Sequence, residues 1–139
     1  MRLMMLILAT TLGCTMPAAN EQLRDRDWSL VWIEGFATLP SGVETPTIRF
    51  GSDGRLAGNT ACNRAGAGYT VDGNTLTIEA LISTRRACVD PQGNALERAY
   101  LKAVEGTHAY RITSGQLELL DATGTSRQRR DLLRAEPRG

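Results

Sequence analysis

Cys14, Cys62, Cys88 and His108 are the residues of this 139-residue chain best suited to act as nucleophile, metal ligand or base. A nucleophile needs a base within hydrogen-bond reach and a third group to orient that base. His108 is the one histidine, and it falls just after a predicted helix beside a turn, where a surface role is expected. No G-x-S-x-G elbow is present, and Gly66-Ala67-Gly68 is too short a glycine run to cradle a phosphate. Asp25 and Asp27 form an acidic pair in a polar stretch and read as solvated. Two cysteines and one distant histidine make a poor zinc set, because zinc takes four clustered ligands. The pattern therefore predicts no catalytic residues, no metal and no cofactor.

The cysteines point to export. Arg2 precedes an apolar run over residues 3–12 that is too short to span a bilayer, and the run ends at Gly13-Cys14. A small residue directly before a cysteine resembles the lipobox of bacterial lipoproteins, which makes Cys14 the predicted lipidation site. Thr11 and Leu12 depart from that motif, and ordinary cleavage near Ala18-Ala19 is the alternative. If Cys14 carries lipid, the odd count of 3 cysteines leaves Cys62 and Cys88 as a pair. In an oxidising compartment they can form a disulfide, and closing that loop would stabilise the fold by roughly 3–4 kcal/mol. Two free thiols are the alternative.

Sixteen Lys+Arg against 15 Asp+Glu leave a formal charge of +1, without the basic excess that a nucleic-acid binder uses to displace counterions. Residues 1–13 read as a signal peptide, 14–26 as a polar tether, 27–125 as one domain and 126–139 as a basic tail. The tail carries five Arg against two acidic groups and is expected to be a solvated, frayed end that can touch anionic lipid headgroups.

Within the domain, Trp28, Leu30 and Trp32 alternate, which puts all three on one face of a strand and into the core. Alternating runs flank turn residues at 47–58, 68–78 and 109–120, giving three hairpins. Asp90 and Pro91 open a helix whose apolar stripe is Leu96, Ala99, Tyr100, Ala103 and Val104, and Gly106 stops it. The fold class is mainly β (α+β): a small curved antiparallel sheet, or a partly open barrel of hairpins, with one packed α-helix.

Gly58-Asn59-Thr60-Ala61-Cys62-Asn63-Arg64, followed by Thr84-Arg85-Arg86-Ala87-Cys88 and a helix containing Glu97, resembles the META domain, and more closely the HslJ-like envelope lipoproteins. The resemblance covers roughly residues 27–125. It implies a small curved sheet with one helix, similar to pilot lipoproteins that assist secretin assembly, and links to heat shock, drug resistance and secretion without a settled biochemical activity. The family usually finishes with a β-strand. Here the charge over residues 127–130 predicts an incomplete last hairpin or a solvent-facing edge.

The motif residues Gly58, Asn59, Asn63, Arg64, Thr84 and Arg85 read as structural. Asn59 and Asn63 suit turns, and Thr84 and Arg85 are expected to satisfy buried backbone groups near the Cys62–Cys88 link. The leading function is a non-catalytic, monomeric, lipid-anchored envelope factor of stress response or assembly. It would contact the membrane and an envelope protein partner, and no nucleic acid. The second is a binding module for an apolar ligand or acyl chain, in a cleft left open by Ala57, Gly58, Ala65 and Gly66.

Overall fold

The computed structural model describes residues 17–123 and 131–139. The leader and Cys14 lie outside the described residues. Two helices, α1 (Ala19–Leu23) and α2 (Pro91–Glu105), accompany eight strands: β1 (Asp27–Ile33), β2 (Thr47–Phe50), β3 (Arg55–Asn59), β4 (Arg64–Asp72), β5 (Thr75–Ser83), β6 (Ala109–Thr113), β7 (Gln116–Leu120) and β8 (Asp131–Pro137). The protein is mainly β, as the hairpin pattern predicts.

Each strand pairs antiparallel with the next, and β8 returns to β1, so the sheet closes into a ring. The three predicted hairpins are β2–β3, β4–β5 and β6–β7. Turn chemistry sets the last of them: Ser114 and Gly115 have φ of 51° and 77°, the doubly left-handed backbone that matches the twist of a two-residue hairpin. The ring is uneven. β4 and β5 pair from Asp72↔Thr75 to Ala65↔Ser83, whereas β5 and β6 meet in register only at Thr75↔Ala109.

Side chains fill the interior of the ring. Trp28 and Phe50 are fully buried, and Phe50 meets Tyr69 edge to face with ring centroids 5.1 Å apart. Trp32 is not their neighbour. A bulge in the β1–β8 ladder between Leu30 and Trp32 turns Ile33 inward and leaves Trp32 half-buried on the outside, under the Arg134 guanidinium at 4.9 Å. The extra residue reverses the alternation that the sequence pattern assumes beyond Leu30.

Both ends of the domain lie further out than the predicted 27–125. In the stretch read as tether, α1 buries Leu23 completely, and its carbonyl accepts the Trp28 indole N–H at 3.0 Å. In the stretch read as basic tail, β8 supplies Leu133 and Ala135 to the core and ladders with both β7 and β1. The last hairpin is therefore followed by a full strand, and the ring it closes has no edge at β1. Charge obscured that strand in the sequence, yet its arginine has partners: Arg134 bonds Asp131 at 2.7 Å while stacking on Trp32. The remaining tail residues, 126–130, lie outside the described residues.

Helix α2 matches its predicted cap and stripe. Asp90 Oδ1 accepts the Gln92 N–H at 2.8 Å, and Leu96, Tyr100, Ala103 and Val104 are buried. Gly106 ends the helix with φ −78°, an ordinary right-handed value. A Cβ there would lie 3.2 Å from the Lys102 carbonyl and 3.4 Å from Leu132, so the missing side chain allows β8 to pack closely.

Replacing Leu133 by Ala should cost about 2–5 kcal/mol in denaturant unfolding, the usual penalty of a core cavity. A leucine in a frayed tail would cost less than about 0.5 kcal/mol.

Candidate functional site

The motif residues converge where the β3–β4 connection, the 84–88 segment and the first turns of α2 meet. Asn59 Oδ1 accepts the Ala61 N–H at 2.9 Å, holding Ala61 at φ 103°, and the Thr60 N–H donates to the Asn63 carbonyl at 2.9 Å. This tight turn swings Cys62 toward the helix. Gly58 is required for another reason: a Cβ on it would stand 2.0 Å from the Thr47 carbonyl oxygen, so only glycine lets β3 pass β2 there. The same carbonyl accepts the Tyr100 hydroxyl at 2.9 Å, and burial pushes the Tyr100 phenol well above its ordinary range.

Cys62 and Cys88 are joined across this junction, with Cα atoms 5.4 Å apart, a separation that a disulfide accommodates. Helix α2 rests on the bridge through Gly93, where a Cβ would approach both sulfurs to 3.3 Å. Asn94 fastens the same segment: its Oδ1 accepts the Cys88 N–H at 3.0 Å and its Nδ2 donates to the Cys88 carbonyl at 3.3 Å.

At the centre are Asn63 and Glu97. Asn63 is a buried hub more than a turn residue, with 3% exposure. Its Nδ2 donates to Glu97 Oε1 and to the Arg86 carbonyl, each at 2.7 Å. Its Oδ1 accepts the Arg86 N–H at 2.7 Å and the Thr84 hydroxyl at 2.9 Å. Glu97 Oε2 accepts the Thr60 hydroxyl at 2.8 Å and the Cys62 N–H at 3.3 Å. Every bonding position of the amide is filled, as a buried amide requires.

Thr84 plays the part expected of it, its Oγ1 also accepting the Arg64 N–H at 3.1 Å. Arg85 does not. It is exposed and has no side-chain bond among the described residues, and its neighbour Arg86 supplies the backbone contacts and reaches the Cys62 carbonyl at 3.4 Å. Arg64 likewise offers the network only its main chain. Sequence reasoning missed Thr60, Arg86, Gly93, Asn94 and the role of Glu97. Glu97 adjoins the apolar stripe at Leu96 and belongs to the motif, two hints that this carboxylate faces inward.

Chemically, this cluster is occupied. Thr60 lies within hydrogen-bond reach of Glu97, but the hydroxyl is wholly buried and out of a substrate's way. Cys62, Cys88 and Glu97 bring three potential metal-ligand atoms within 4.8 Å, yet joined sulfurs are not thiolates, and the carboxylate already accepts three hydrogen bonds. His108 is exposed and follows the C-terminal end of α2, its Nδ1 3.0 Å from the Gly106 carbonyl. The small residues proposed to line an apolar cleft behave differently. Ala57, Gly58 and Ala65 border a depression of about 360 Å³ shared with the charged Asp27, Glu44, Arg49, Arg64 and Arg138.

Asn63→Ala strands several buried donors and acceptors and should cost at least about 2 kcal/mol. Arg85→Ala should stay within about 0.5 kcal/mol, and parallel urea melts compare them. Alkylation of the unfolded, unreduced chain followed by mass analysis should leave Cys62 and Cys88 unmodified. Replacing both by Ser should cost about 2–5 kcal/mol.

Three comparisons bear on ancestry. The chain is similar to a protein solved by NMR, with 25% identity and a TM-score of 0.66, over 86% of this chain and 95% of the other. A second NMR structure, of a protein from Burkholderia xenovorans, aligns at 23% identity and a TM-score of 0.64 over 96% of this chain and 99% of the other, a likeness of fold. None of the curated proteins matches the chain. The sequence profile of the META domain matches residues 21–134, which contain the last turn of α1 and the first part of β8 as well as the motif cluster, and the chain belongs to the META domain family.

Proposed function

We propose that this protein is exported, anchored through a lipid on Cys14, and works by binding an envelope partner and not by catalysis, as an accessory factor of stress response or assembly. The observation that carries the non-catalytic reading is the state of the motif cluster. Its carboxylate, amide and hydroxyl are bonded to one another and to backbone, which supports a structural role for these three groups. Membership of the META family and the apolar run ending at Gly13-Cys14 support the envelope setting.

The fold adds a spatial consequence. Because α1 begins at Ala19, only four residues, and so five Cα–Cα steps, separate Cys14 from the first element. At roughly 3.6 Å per extended residue, the domain would be held within about 18 Å of its lipid. Such a short tether favours a partner at the membrane surface.

Expression of the full chain in a bacterium, with and without globomycin, tests the anchor. The wild type should fractionate with membranes and carry a diacylglyceryl mass on Cys14, and Cys14→Ser should be released. Recovery from the cytosol with Met1 intact would overturn the reading.

A further inference from the structure

The ring has one open side. On its first side β5 ladders with β4 as far as Ser83, but on its second side it meets β6 in register only at Thr75, followed by one bond from the Leu76 N–H to the His108 carbonyl. Among the described residues, no strand pairs with β5 from residue 77 to 83 on that side. Ala80, at φ 50°, lies in a bulge where β5 shifts register against Gly66 and Gly68. Beyond the bulge the strand carries Ile82, exposed to 69% and the most exposed isoleucine or leucine of the described core elements.

This edge forms one wall of a groove of about 700 Å³ whose other wall is α2 from Glu97 to Glu105. Four cations line it, Arg85, Arg86, Arg98 and Lys102, against two carboxylates, Glu97 and Glu105. Glu97 is turned into the Asn63 network, so the groove presents an excess of positive charge to solvent. Arg85 and Arg98 form no ion pair among the described residues, and the fold gives Arg85 no bonding role.

We propose that this groove is a docking site for an extended acidic peptide segment of a partner protein, which adds a strand to the free edge of β5. Main-chain hydrogen bonds to β5 would supply affinity, an apolar side chain would cover Ile82, and acidic side chains would meet Arg85, Arg86, Arg98 and Lys102. A lipid headgroup would use the cations but not an unpaired strand edge, which is why the peptide is the occupant these observations favour. The proposal deepens the reading of the domain as a binder, and it does not depend on the anchor: a chain found without lipid would overturn the Cys14 assignment alone.

The test uses the purified, isotope-labelled full chain and a synthetic peptide of alternating Glu and Val. A length of about ten residues spans the edge at roughly 3.3 Å per residue. Titration should shift the backbone amides of residues 77–83 and of the facing helix, and raising salt should weaken binding by about tenfold through screening. The Arg85→Glu, Arg98→Glu double variant, both positions being exposed, should retain the wild-type amide spectrum and lose at least about tenfold in affinity. A Lys/Val peptide should not bind. Absence of shifts along β5, unchanged affinity in the double variant, or binding to phosphatidylglycerol vesicles with none to the peptide would each overturn the proposal.

Discussion

A side-chain amide removed from water must find all of its hydrogen-bond partners inside the protein, and at Asn63 that requirement organises one end of the molecule. Its partners come from two separated stretches: Glu97 on α2, and Thr84 and Arg86 in the segment leading to the helix. None can move without stranding another, because an unpaired buried polar group costs more than the bond itself contributes. The disulfide and Gly93 act on the same junction from below, bringing the helix backbone against the sulfurs. A covalent tie and a saturated polar network thus specify one seat for α2.

Closure of the ring is the second constraint, and the two are linked. β8 pairs with β1 and β7, removing two potential edges and shielding the core from water on that side. On the opposite side the chain leaves the sheet after β5 to make α2, and returns as β6 with little pairing to β5. The helix faces the poorly laddered side of β5 across a groove and takes no part in the ladder, so it must be held there by side chains. That explains why the polar junction lies at the β5 end of the helix and not along its apolar stripe.

The division of labour among motif residues follows. Gly58, Asn59, Asn63, Thr84 and the two cysteines each have a structural task that can be named from distances. The arginines beside them do not: Arg64 and Arg85 project into solvent next to a groove bordered by further cations. Residues that hold the junction and residues exposed to solvent are thus interleaved along the same short stretches of chain.

Local rules sufficed for the sequence to determine the three hairpins, the cap and stripe of α2 and the likeness to the family, because turn residues, periodicity and motif spacing act over short spans of chain, whereas Cys88 is there only a candidate partner of Cys62, with two free thiols as the alternative. It misjudged what depends on contacts between distant segments. Arg134 reads as a solvated charge until Asp131 and Trp32 are brought beside it, and Trp32 reads as core until a bulge opposite β8 reverses the facing of β1. Leu23 reads as tether until the Trp28 indole seeks its carbonyl. Glu97 is marked in the sequence only as part of the motif, and it gains a role when Asn63 and Thr60 meet it across 34 and 37 residues of sequence. Burial of polar and charged groups is decided by which partners the tertiary fold delivers, and only the folded ring could show that.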